Sequence, residues 1–309
     1  MALGSAPAKV ILFGEHAVVH GVPALAAPVS SLRAYAEAVP GVGEGVRLHA
    51  PGFAESLPVG LGAAEVDNAL TKIVHLVLRE VSCGMPNLAI HVHSDIPIAS
   101  GMGSGAAVSA AVARALCAAL NAPMDSETLN RLVYEVERLH HGTPSGIDNT
   151  VIVYEKPVYF VRGQEPMPLR VGAPIHLLIG DTGRPSLTRD AVSGVWGLLK
   201  QDPQEVTAHF ETVRRIVAAA RSHIEQGTPD QLGALMIENH QLLRKLTVSS
   251  PELDRLVDAA LRAGASGAKM SGGGRGGIMI ALVEPHTTEQ IAASLHHAGA
   301  ARVIATEIT

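Results

Sequence analysis

Glycine concentrates in three short segments of the chain, and the first has the residue types that bind phosphate. Residues 97–107 read PIASGMGSGAA. Glycine lets the main chain approach a ligand closely, and successive N–H groups at a helix N-terminus attract an anion. The segment is not a Walker A loop, because no GK[ST] follows. Gly101, Gly103 and Ala106 loosely match a dinucleotide-binding pattern, but Asp125, about 20 positions on, precedes a predicted helix. Phosphate binding is therefore predicted, with a glycine-rich packing turn as the alternative.

Two carboxylates flank the second glycine segment, ERLHHGTPSGIDN over residues 137–149. Glu137 lies near the end of a predicted helix, and Asp148 follows a Gly/Pro turn that can fold the chain back. One carboxylate could then hold a metal ion while the other acts as a base. The alternative for Glu137 is an ordinary surface residue, and the alternative for Asp148 is a turn residue. His140 and His141 point about 100° apart on a helix, which favours exposed or locally hydrogen-bonded histidines over metal ligands.

The third segment, residues 269–277, reads KMSGGGRGG and precedes an apolar run. Close approach to a ligand is one interpretation of so much glycine, and a tight hairpin-like turn is the other. A fourth segment opens the chain, where Lys9 begins the apolar strand KVILF and Glu15 and His16 follow its end. Substrate-binding side chains often project from strand ends, although a lysine at a strand entry is also an ordinary surface residue.

Regular elements are predicted on both sides of these segments. Strands are expected at 9–13, 34–39, 46–50, 87–93, 151–161, 175–180, 278–283 and 302–307. Helices are expected at 67–82, 106–120, 126–141 (with Ser126 as N-cap), 187–199, 203–225, 229–245, 251–263 and 288–298. The pattern changes near 165–172, which predicts an α+β protein with domains at 1–168 and 169–309 and the loops converging between them.

Composition excludes several classes of protein. The 309 residues carry 24 Lys and Arg against 29 Asp and Glu, a formal net charge of −5, which argues against nucleic acid or an anionic membrane as a partner. Cys83 and Cys117 form no CxxC motif and are predicted to be buried thiols. The apolar stretch 106–120 is too short for a membrane span, and the N-terminal residues do not look like a signal peptide. A cytoplasmic globular protein is expected.

Taken together, the four segments resemble the family of galactokinase, homoserine kinase, mevalonate kinase and phosphomevalonate kinase, the GHMP kinases. PAKVILFGEHAVVHG resembles the family's first motif, in the wording typical of its mevalonate kinases, and PIASGMGSGAA resembles its phosphate loop. HGTPSGIDN resembles the segment with the catalytic aspartate, and AKMSGGGRGG the third motif. The motifs occur in the family's order, and the resemblance covers nearly the whole chain.

The resemblance implies a two-domain GHMP kinase fold with the active site in the cleft between domains. It implies ATP-dependent phosphorylation of the C5 hydroxyl of mevalonate, with ATP and Mg²⁺ as cofactors, and a homodimer is a further expectation. By the same resemblance Asp148 and Lys9 are catalytic, and Glu137 and Ser104 bind the metal. The implied substrate residues are Lys9, Glu15, His16, Asp148, Thr182, Gly183, Ser271 and Gly272. The implied nucleotide residues are Pro97, Ile98, Ala99, Ser100, Gly101, Met102, Gly103, Ser104, Gly105, Ala106 and Ala107.

The chain departs from the family pattern at three positions. Gly105 replaces the second serine of the phosphate loop, Arg275 replaces a glycine of the third motif, and Leu187 replaces the serine before Thr188. Other readings therefore stay open. The protein could phosphorylate phosphomevalonate or another small alcohol, act as a related decarboxylase or 3-hydroxy kinase, bind nucleotide without catalysis, or be a dinucleotide-binding oxidoreductase.

Overall fold

The computed structural model describes residues 1–42, 45–50, 57–59, 68–141, 144–186 and 188–309. The chain forms two compact units that interleave along the sequence. Unit 1 comprises Met1–Ala8, Ser30–Pro97 and Gly103–Glu155, and unit 2 comprises Lys9–Val29, Ile98–Met102 and Lys156–Thr309. The sequence predicted a single domain boundary between residues 168 and 169. Each compact unit consists of three separate segments, so that boundary stays a prediction.

The elements come in runs of strands and runs of helices, as expected for α+β. The strands are β1 (Ala2–Phe13), β2 (Ala24–Pro40), β3 (Val46–His49), β4 (Leu57–Val59), β5 (Leu88–Ser94), β6 (Val158–Phe160), β7 (Met167–Pro168), β8 (Ile175–Asp181), β9 (Gly267–Ser271), β10 (Ile278–Leu282) and β11 (Arg302–Ile308). The helices are α1 (Ala69–Glu80), α2 (Ser104–Ala119), α3 (Ser126–His141), α4 (Ile147–Tyr154), α5 (Thr188–Gln201), α6 (Pro203–Gln226), α7 (Leu232–Lys245), α8 (Pro251–Arg262) and α9 (Thr288–His297).

Unit 1 packs four helices beside a small mixed sheet. Strand β5 pairs antiparallel with β2, from Ala34 opposite Ser94 to Pro40 opposite Leu88, and parallel with β3. Helix α1 begins where the Asn68 side chain accepts the N–H groups of Leu70 and Thr71. Helices α1, α2, α3 and α4 pack on one another. Alanines dominate the buried face of α2, which lets its neighbours approach closely.

Unit 2 is built on a four-stranded antiparallel sheet in the order β11–β8–β10–β9. Strands β9 and β10 form a hairpin, with Ser271 opposite Ile278 and Gly267 opposite Leu282. Both strands are buried along their whole length, which explains the continuous apolar sequence of β10, whereas β9 also contains the polar residues Lys269 and Ser271. Helices α7, α8 and α9 pack against this sheet. In the same unit the first residues of β2 pair with β6, and β6 pairs with β7.

Most predicted elements are confirmed, although β1 begins seven residues and β2 ten residues before the predicted start, and two predictions were wrong. Residues 151–161 are not one strand, because 147–154 form α4 and only Val158–Phe160 are extended. The β-branched residues Val151 and Ile152 are helical because they pack into a core with α2 and α3, which overrides their strand preference. The cap of α3 is Asp125, whose carboxylate accepts the Thr128 N–H, and not Ser126. Strands β4, β7 and β9 were not foreseen.

Some sequence predictions lie outside the described residues. These are Gly142 and Thr143 of the second glycine segment, Leu187 before α5, and Asp67 before α1, and the side chains of His140 and His141 are likewise not described. In the described part of the chain, no helix combines the length and the apolar content that a bilayer crossing requires.

Candidate active site

The predicted phosphate loop connects β5 to α2. Gly103 occupies the N-cap position of α2 with φ 75°, a left-handed conformation that favours glycine. The first-turn N–H groups of α2, beginning at Ser104, therefore point away from the helix, as an anion site requires. Gly101 also has φ 82°, and Ala99 has φ 56° although it carries a side chain. Such strain at a non-glycine residue is common at functional sites.

Gly105 and Glu137, both in unit 1, lie side by side. A Cβ atom at Gly105 would lie 3.2 Å from Glu137 Oε1, with no other heavy atom of the described residues within 4 Å. Glu137 is on α3 and is only 4 % exposed. The structure thus brings a buried carboxylate to the first turn of α2, where the family's second serine is missing. Within the described ranges, His, Cys, Asp and Glu form no group of three or more that could hold a metal ion.

Asp148 lies in the first turn of α4 and is partly exposed, also in unit 1. Gly146, with φ 92°, precedes the helix and lets the chain turn into it. The neighbouring Asn149 is buried and donates to the Asn130 side chain on α3. Thr150 donates to the Gly146 carbonyl at 2.7 Å. The predicted base is therefore held on a short helix whose other side is fixed by packing, and it is not the turn residue of the alternative interpretation.

Lys9 lies within β1 in unit 2 and is 2 % exposed, so it is not the surface residue of the alternative interpretation. Its main-chain N–H donates to the Met102 carbonyl at 3.0 Å, which joins the first motif to the phosphate loop. Met102 is fully buried. Six of the other predicted substrate residues also belong to unit 2, namely Glu15, His16, Thr182, Gly183, Ser271 and Gly272.

Glu15 is fully buried and forms an ion pair with Lys269 of β9. Burial raises the pKa of Glu15 and lowers that of Lys269, and the attraction between the two charges opposes both shifts. Lys269 also donates to the Met270 carbonyl at 2.7 Å. Glu15 Oε2 has no hydrogen-bond partner among the described residues. An unsatisfied buried carboxylate oxygen is costly, which marks it as a place where a ligand donor would fit.

His16 is the second buried residue with an unsatisfied atom. Its Nε2 lies 3.0 Å from the Gly273 carbonyl, which can only accept, so Nε2 carries a proton. Burial lowers the pKa of His16 to about 4, so the ring is neutral at pH 7. Nδ1 is then an acceptor, and it has no partner among the described residues. Glu15 and His16 together offer two buried acceptors.

The third glycine segment is the turn of the β9–β10 hairpin, as the alternative interpretation has it. Most of its glycines lie against main-chain atoms of other segments of the protein. A Cβ at Gly274 would overlap the Val248 carbonyl oxygen, and one at Gly277 would lie 2.6 Å from the Ser100 carbonyl oxygen. Contact of this hairpin loop, residues 272–277, with a bound ligand stays a prediction.

Two predicted substrate residues have their hydroxyl groups engaged elsewhere. Ser271 Oγ accepts the Ile11 N–H at 3.0 Å and donates to the Ile11 carbonyl at 2.9 Å. Thr182 Oγ1 donates to the Gly277 carbonyl at 2.7 Å, and Gly183 adopts φ 69° beside it. Either hydroxyl would have to give up its present bond to donate a hydrogen bond to a substrate, whereas each keeps a lone pair that can accept one.

Three residues near these groups were given no role by the sequence. Lys269 was part of the quoted motif, and a lysine inside an otherwise apolar strand is the signal that could have singled it out. His240 of α7 accepts the Met270 N–H at 3.3 Å and pairs with Asp254. Burial lowers its pKa to about 4. Thr188, at the start of α5, packs directly against Gly273, where a Cβ atom would overlap the threonine hydroxyl.

Comparisons with known proteins agree on one family. Residues 68–156 match the model of the GHMP kinases N terminal domain, and residues 211–301 match that of the GHMP kinases C terminal domain. The mevalonate kinase of Pyrococcus furiosus is 34 % identical over 326 residues, covering 99 % of this chain and 96 % of the relative. The mevalonate kinase of Aeropyrum pernix is 34 % identical over 295 residues, covering 94 % and 90 %.

Solved structures give the same picture. The crystal structure of L. major mevalonate kinase in complex with R-mevalonate superposes with a TM-score of 0.86 at 29 % identity, covering 100 % of this chain and 96 % of that one. The Methanococcus jannaschii mevalonate kinase has the same TM-score at 24 % identity, covering 99 % and 98 %, which shows the fold alone. The two-domain fold with mixed helices and sheets is therefore confirmed.

Proposed function

The chain belongs to the GHMP kinases, and we propose that it transfers the γ-phosphoryl group of ATP to the C5 hydroxyl of mevalonate, a step of isoprenoid biosynthesis. The observation that carries the proposal is identity of 34 % to a mevalonate kinase over 99 % of this chain and 96 % of the relative. The similar protein bound to R-mevalonate supports the choice of substrate.

The substrate side of the proposal rests on the two buried acceptors of unit 2. Mevalonate has hydroxyl groups at C3 and C5 and a carboxylate. Glu15 Oε2 and His16 Nδ1 lack partners among the described residues, and each accepts one hydrogen bond from a hydroxyl group. A site built to bond a hydroxyl rejects analogues that lack it, because its buried polar atoms are then left unpaired. Lys9 supplies positive charge close to Glu15.

Catalysis is assigned to the residues that the resemblance names. Phosphoryl transfer depends mainly on positioning and on charge neutralisation. Asp148 accepts the proton of the C5 hydroxyl, and Lys9 stabilises the charge that develops on the attacking oxygen. Residues 97–107 bind the phosphates of ATP through the N-terminus of α2 and its loop. These roles are proposals for each residue, supported by the left-handed cap at Gly103 and by the packing of α4 on α2 and α3.

The residues around Gly105 suit magnesium. Mg²⁺ is often bound by one or two carboxylates together with phosphates and water. Glu137 supplies the carboxylate, and Ser104 in the first turn of α2 supplies a hydroxyl. The space beside Gly105, where a serine Cβ would come 3.2 Å from Glu137 Oε1, leaves room for a water ligand in place of the missing hydroxyl. The chemistry supplied by bound Mg²⁺ is neutralisation of phosphate charge.

The test is magnesium-dependent ADP release from ATP, measured with mevalonate, phosphomevalonate, homoserine and galactose. Mevalonate is expected to give the highest kcat/KM. Preference for phosphomevalonate would replace the proposal with its closest alternative, and no turnover with any alcohol would favour a silent relative. The control is Asp148→Asn, for which kcat should fall about 10²–10⁴-fold with ATP binding retained. A variant that kept more than about a third of the wild-type kcat would exclude Asp148 as the base.

Two further proposals complete the picture of the protein in the cell. We propose a cytoplasmic location, because ATP and small polar substrates are found there, and a homodimer in solution. Cell fractionation tests the first and sedimentation velocity the second. Recovery in the membrane fraction, or a single species with the 32.1 kDa mass of one chain, would contradict them.

A further inference from the structure

Arg275 occupies a position in the hairpin loop at which glycine is the easier residue. Its φ is 54°, in the left-handed region that strains a residue with a side chain. Such strain persists only where surrounding contacts compensate for it. The Arg275 main-chain N–H donates to the Val248 carbonyl at 2.8 Å, so the backbone at this point is fixed to the segment after α7.

The side chain of Arg275 joins two other segments of unit 2. Nε donates to the Thr247 carbonyl and Nη1 to the Asp190 carbonyl, both at 3.3 Å. Thr247 follows α7 and has φ 58°, and Asp190 lies in the first turn of α5. Both acceptors are main-chain oxygens. The Arg275 guanidinium therefore connects the hairpin loop to α5 and to the segment after α7.

Gly194 explains how the guanidinium reaches the Asp190 carbonyl. Residue 194 is one turn after residue 190, and helical side chains lean towards the N-terminal turn, over that carbonyl. A Cβ at Gly194 would lie 2.5 Å from Arg275 Nη2. Glycine is unfavourable inside a helix, just as arginine is unfavourable at positive φ. The contact between them explains both: Gly194 leaves room for the guanidinium, and the bonds made by the guanidinium compensate for the strained backbone of Arg275.

The first turn of α5 is connected to both glycine-rich loops. Thr188 Oγ1 lies 3.3 Å from Ser186 Oγ, and Ser186 Oγ donates to the Gly274 carbonyl at 3.2 Å. The Ser186 N–H donates to the Ala99 carbonyl of the phosphate loop at 2.7 Å. A shift of α5 would therefore move Ser186 relative to the two loops.

We propose that Arg275 is a positioning residue that holds the first turn of α5 against the hairpin loop, and that Gly194 is its receiving site on the helix. We call this Arg275–Gly194 contact the clamp. Through Ser186 and Thr188 the clamp also fixes the hairpin loop, next to the proposed mevalonate residues Ser271 and Gly272. The expected effect on mevalonate binding therefore rests on the proposed function. The effect on α5 itself does not, which allows the two to be tested separately.

The first experiment needs no catalytic activity. Trp196 is the only tryptophan of the chain, lies on α5 and is 44 % exposed, so its fluorescence reports on this helix. Iodide quenching is compared in the wild type, Arg275→Gly and Arg275→Lys. Arg275→Gly should increase the quenching constant, and Arg275→Lys should give an intermediate value because lysine donates from one point. Unchanged quenching in Arg275→Gly would overturn the clamp.

The second experiment uses a matched pair of glycines on the same helix. A Cβ at Gly197 meets nothing within 4 Å among the described residues, unlike one at Gly194. Gly194→Ala should displace the guanidinium and raise the KM for mevalonate roughly fivefold or more, with the KM for ATP nearly unchanged. Arg275→Gly should do the same, and the double variant should add nothing. Gly197→Ala should leave both KM values unchanged.

Thermal midpoints separate positioning from simple stabilisation. Arg275→Gly removes the strain at positive φ, so its midpoint should stay the same or rise while the KM for mevalonate rises. A midpoint and a kcat that fall together, or KM effects of Gly194→Ala and Arg275→Gly that add in the double variant, would overturn the inference. If the wild type does not phosphorylate mevalonate, the proposed function fails and the quenching series still decides the clamp.

Discussion

The phosphate loop and the hairpin loop are alike in glycine content and differ in what surrounds their glycines. Among the residues that the structure describes, a Cβ at Gly101 would find its nearest neighbour 3.6 Å away, and one at Gly105 would meet only Glu137 Oε1. In the hairpin loop, a Cβ at Gly274 or Gly276 would overlap a carbonyl oxygen of the chain itself. In the phosphate loop the glycines thus leave open space, as a ligand site requires. In the hairpin loop they let other main-chain segments of the protein pack against the loop. Glycine-rich sequence alone does not separate these uses.

The largest expected effect tests this contrast directly. Gly274→Ala should lower the free energy of unfolding by more than about 4 kcal/mol, because the overlap is with main chain and φ is 78°. Gly101→Ala has a similar φ of 82° but room for the methyl group, and should lose only about 1–2 kcal/mol from strain. Urea unfolding followed by circular dichroism measures both. Equal losses in the two variants would remove the distinction between the loops.

A second test moves to the buried lysine beside each loop. Lys269 lies three residues before the hairpin loop, and Lys9 donates its main-chain N–H to Met102 of the phosphate loop. Lys269→Met leaves the buried Glu15 carboxylate without its ion-pair partner, so stability should fall by about 3–5 kcal/mol.

Lys9→Met should instead mainly affect catalysis. We expect kcat to fall about tenfold or more and mevalonate to bind more weakly, with little change in ATP affinity. Unfolding curves and steady-state kinetics on both variants make the comparison. A Lys9 variant whose only defect is ATP affinity would move this lysine to the nucleotide side.

Acid should weaken the hairpin side through His16, which bonds to Gly273. Its native pKa is about 4 against an ordinary value of 6.5, so below pH 6.5 the unfolded chain binds a proton that the native state does not. Stability therefore falls as the pH drops from 6.5 towards 4, by at most about 1.4 kcal/mol per pH unit for each such histidine. His240 adds a second contribution of the same sign.

Urea unfolding between pH 7.5 and 5 measures this slope, and the His16→Gln variant isolates one histidine from the rest. The variant should show a shallower fall than the wild type. Glu15 has a raised pKa and acts in the opposite direction in both proteins, so it cancels from the difference. Parallel curves for the two proteins would mean that His16 titrates normally in the native state.

The smallest effect is expected on the phosphate-loop side. Gly105 lies inside α2 without a positive φ, so a serine there is not strained by the backbone. Gly105→Ser should tighten the apparent magnesium affinity, because the serine hydroxyl adds a ligand. The gain should be modest, because the serine Cβ would crowd Glu137 Oε1 at 3.2 Å. Glu137→Gln should raise the magnesium requirement steeply. Turnover is titrated with magnesium at saturating ATP and mevalonate, and an unchanged midpoint in Glu137→Gln would exclude the proposed metal site.

What the sequence predicted well depends on local pattern. Helices such as α2 and α8 follow from the spacing of apolar residues and from Gly or Pro at their ends, and the loop before α2 follows from its glycines. What it missed depends on distant partners. Helix α4 is stabilised by packing on α2 and α3 against the preference of its β-branched residues. The Glu15–Lys269 pair joins positions 254 apart, and no local pattern marks the Arg275–Gly194 fit.

The interleaving of the two units has a consequence for synthesis on the ribosome. Ile11, in the segment Lys9–Val29, bonds to Ser271, which is made 260 positions later. At about 5–20 residues per second, the segment waits roughly 10–50 s for its partners. Unit 1 has all of its residues once Glu155 has emerged. Throughout the interval Glu15 lacks Lys269 and Ile11 lacks Ser271, so a nascent chain of this protein exposes part of the apolar strand KVILF to chaperones until the C-terminal strands have been made.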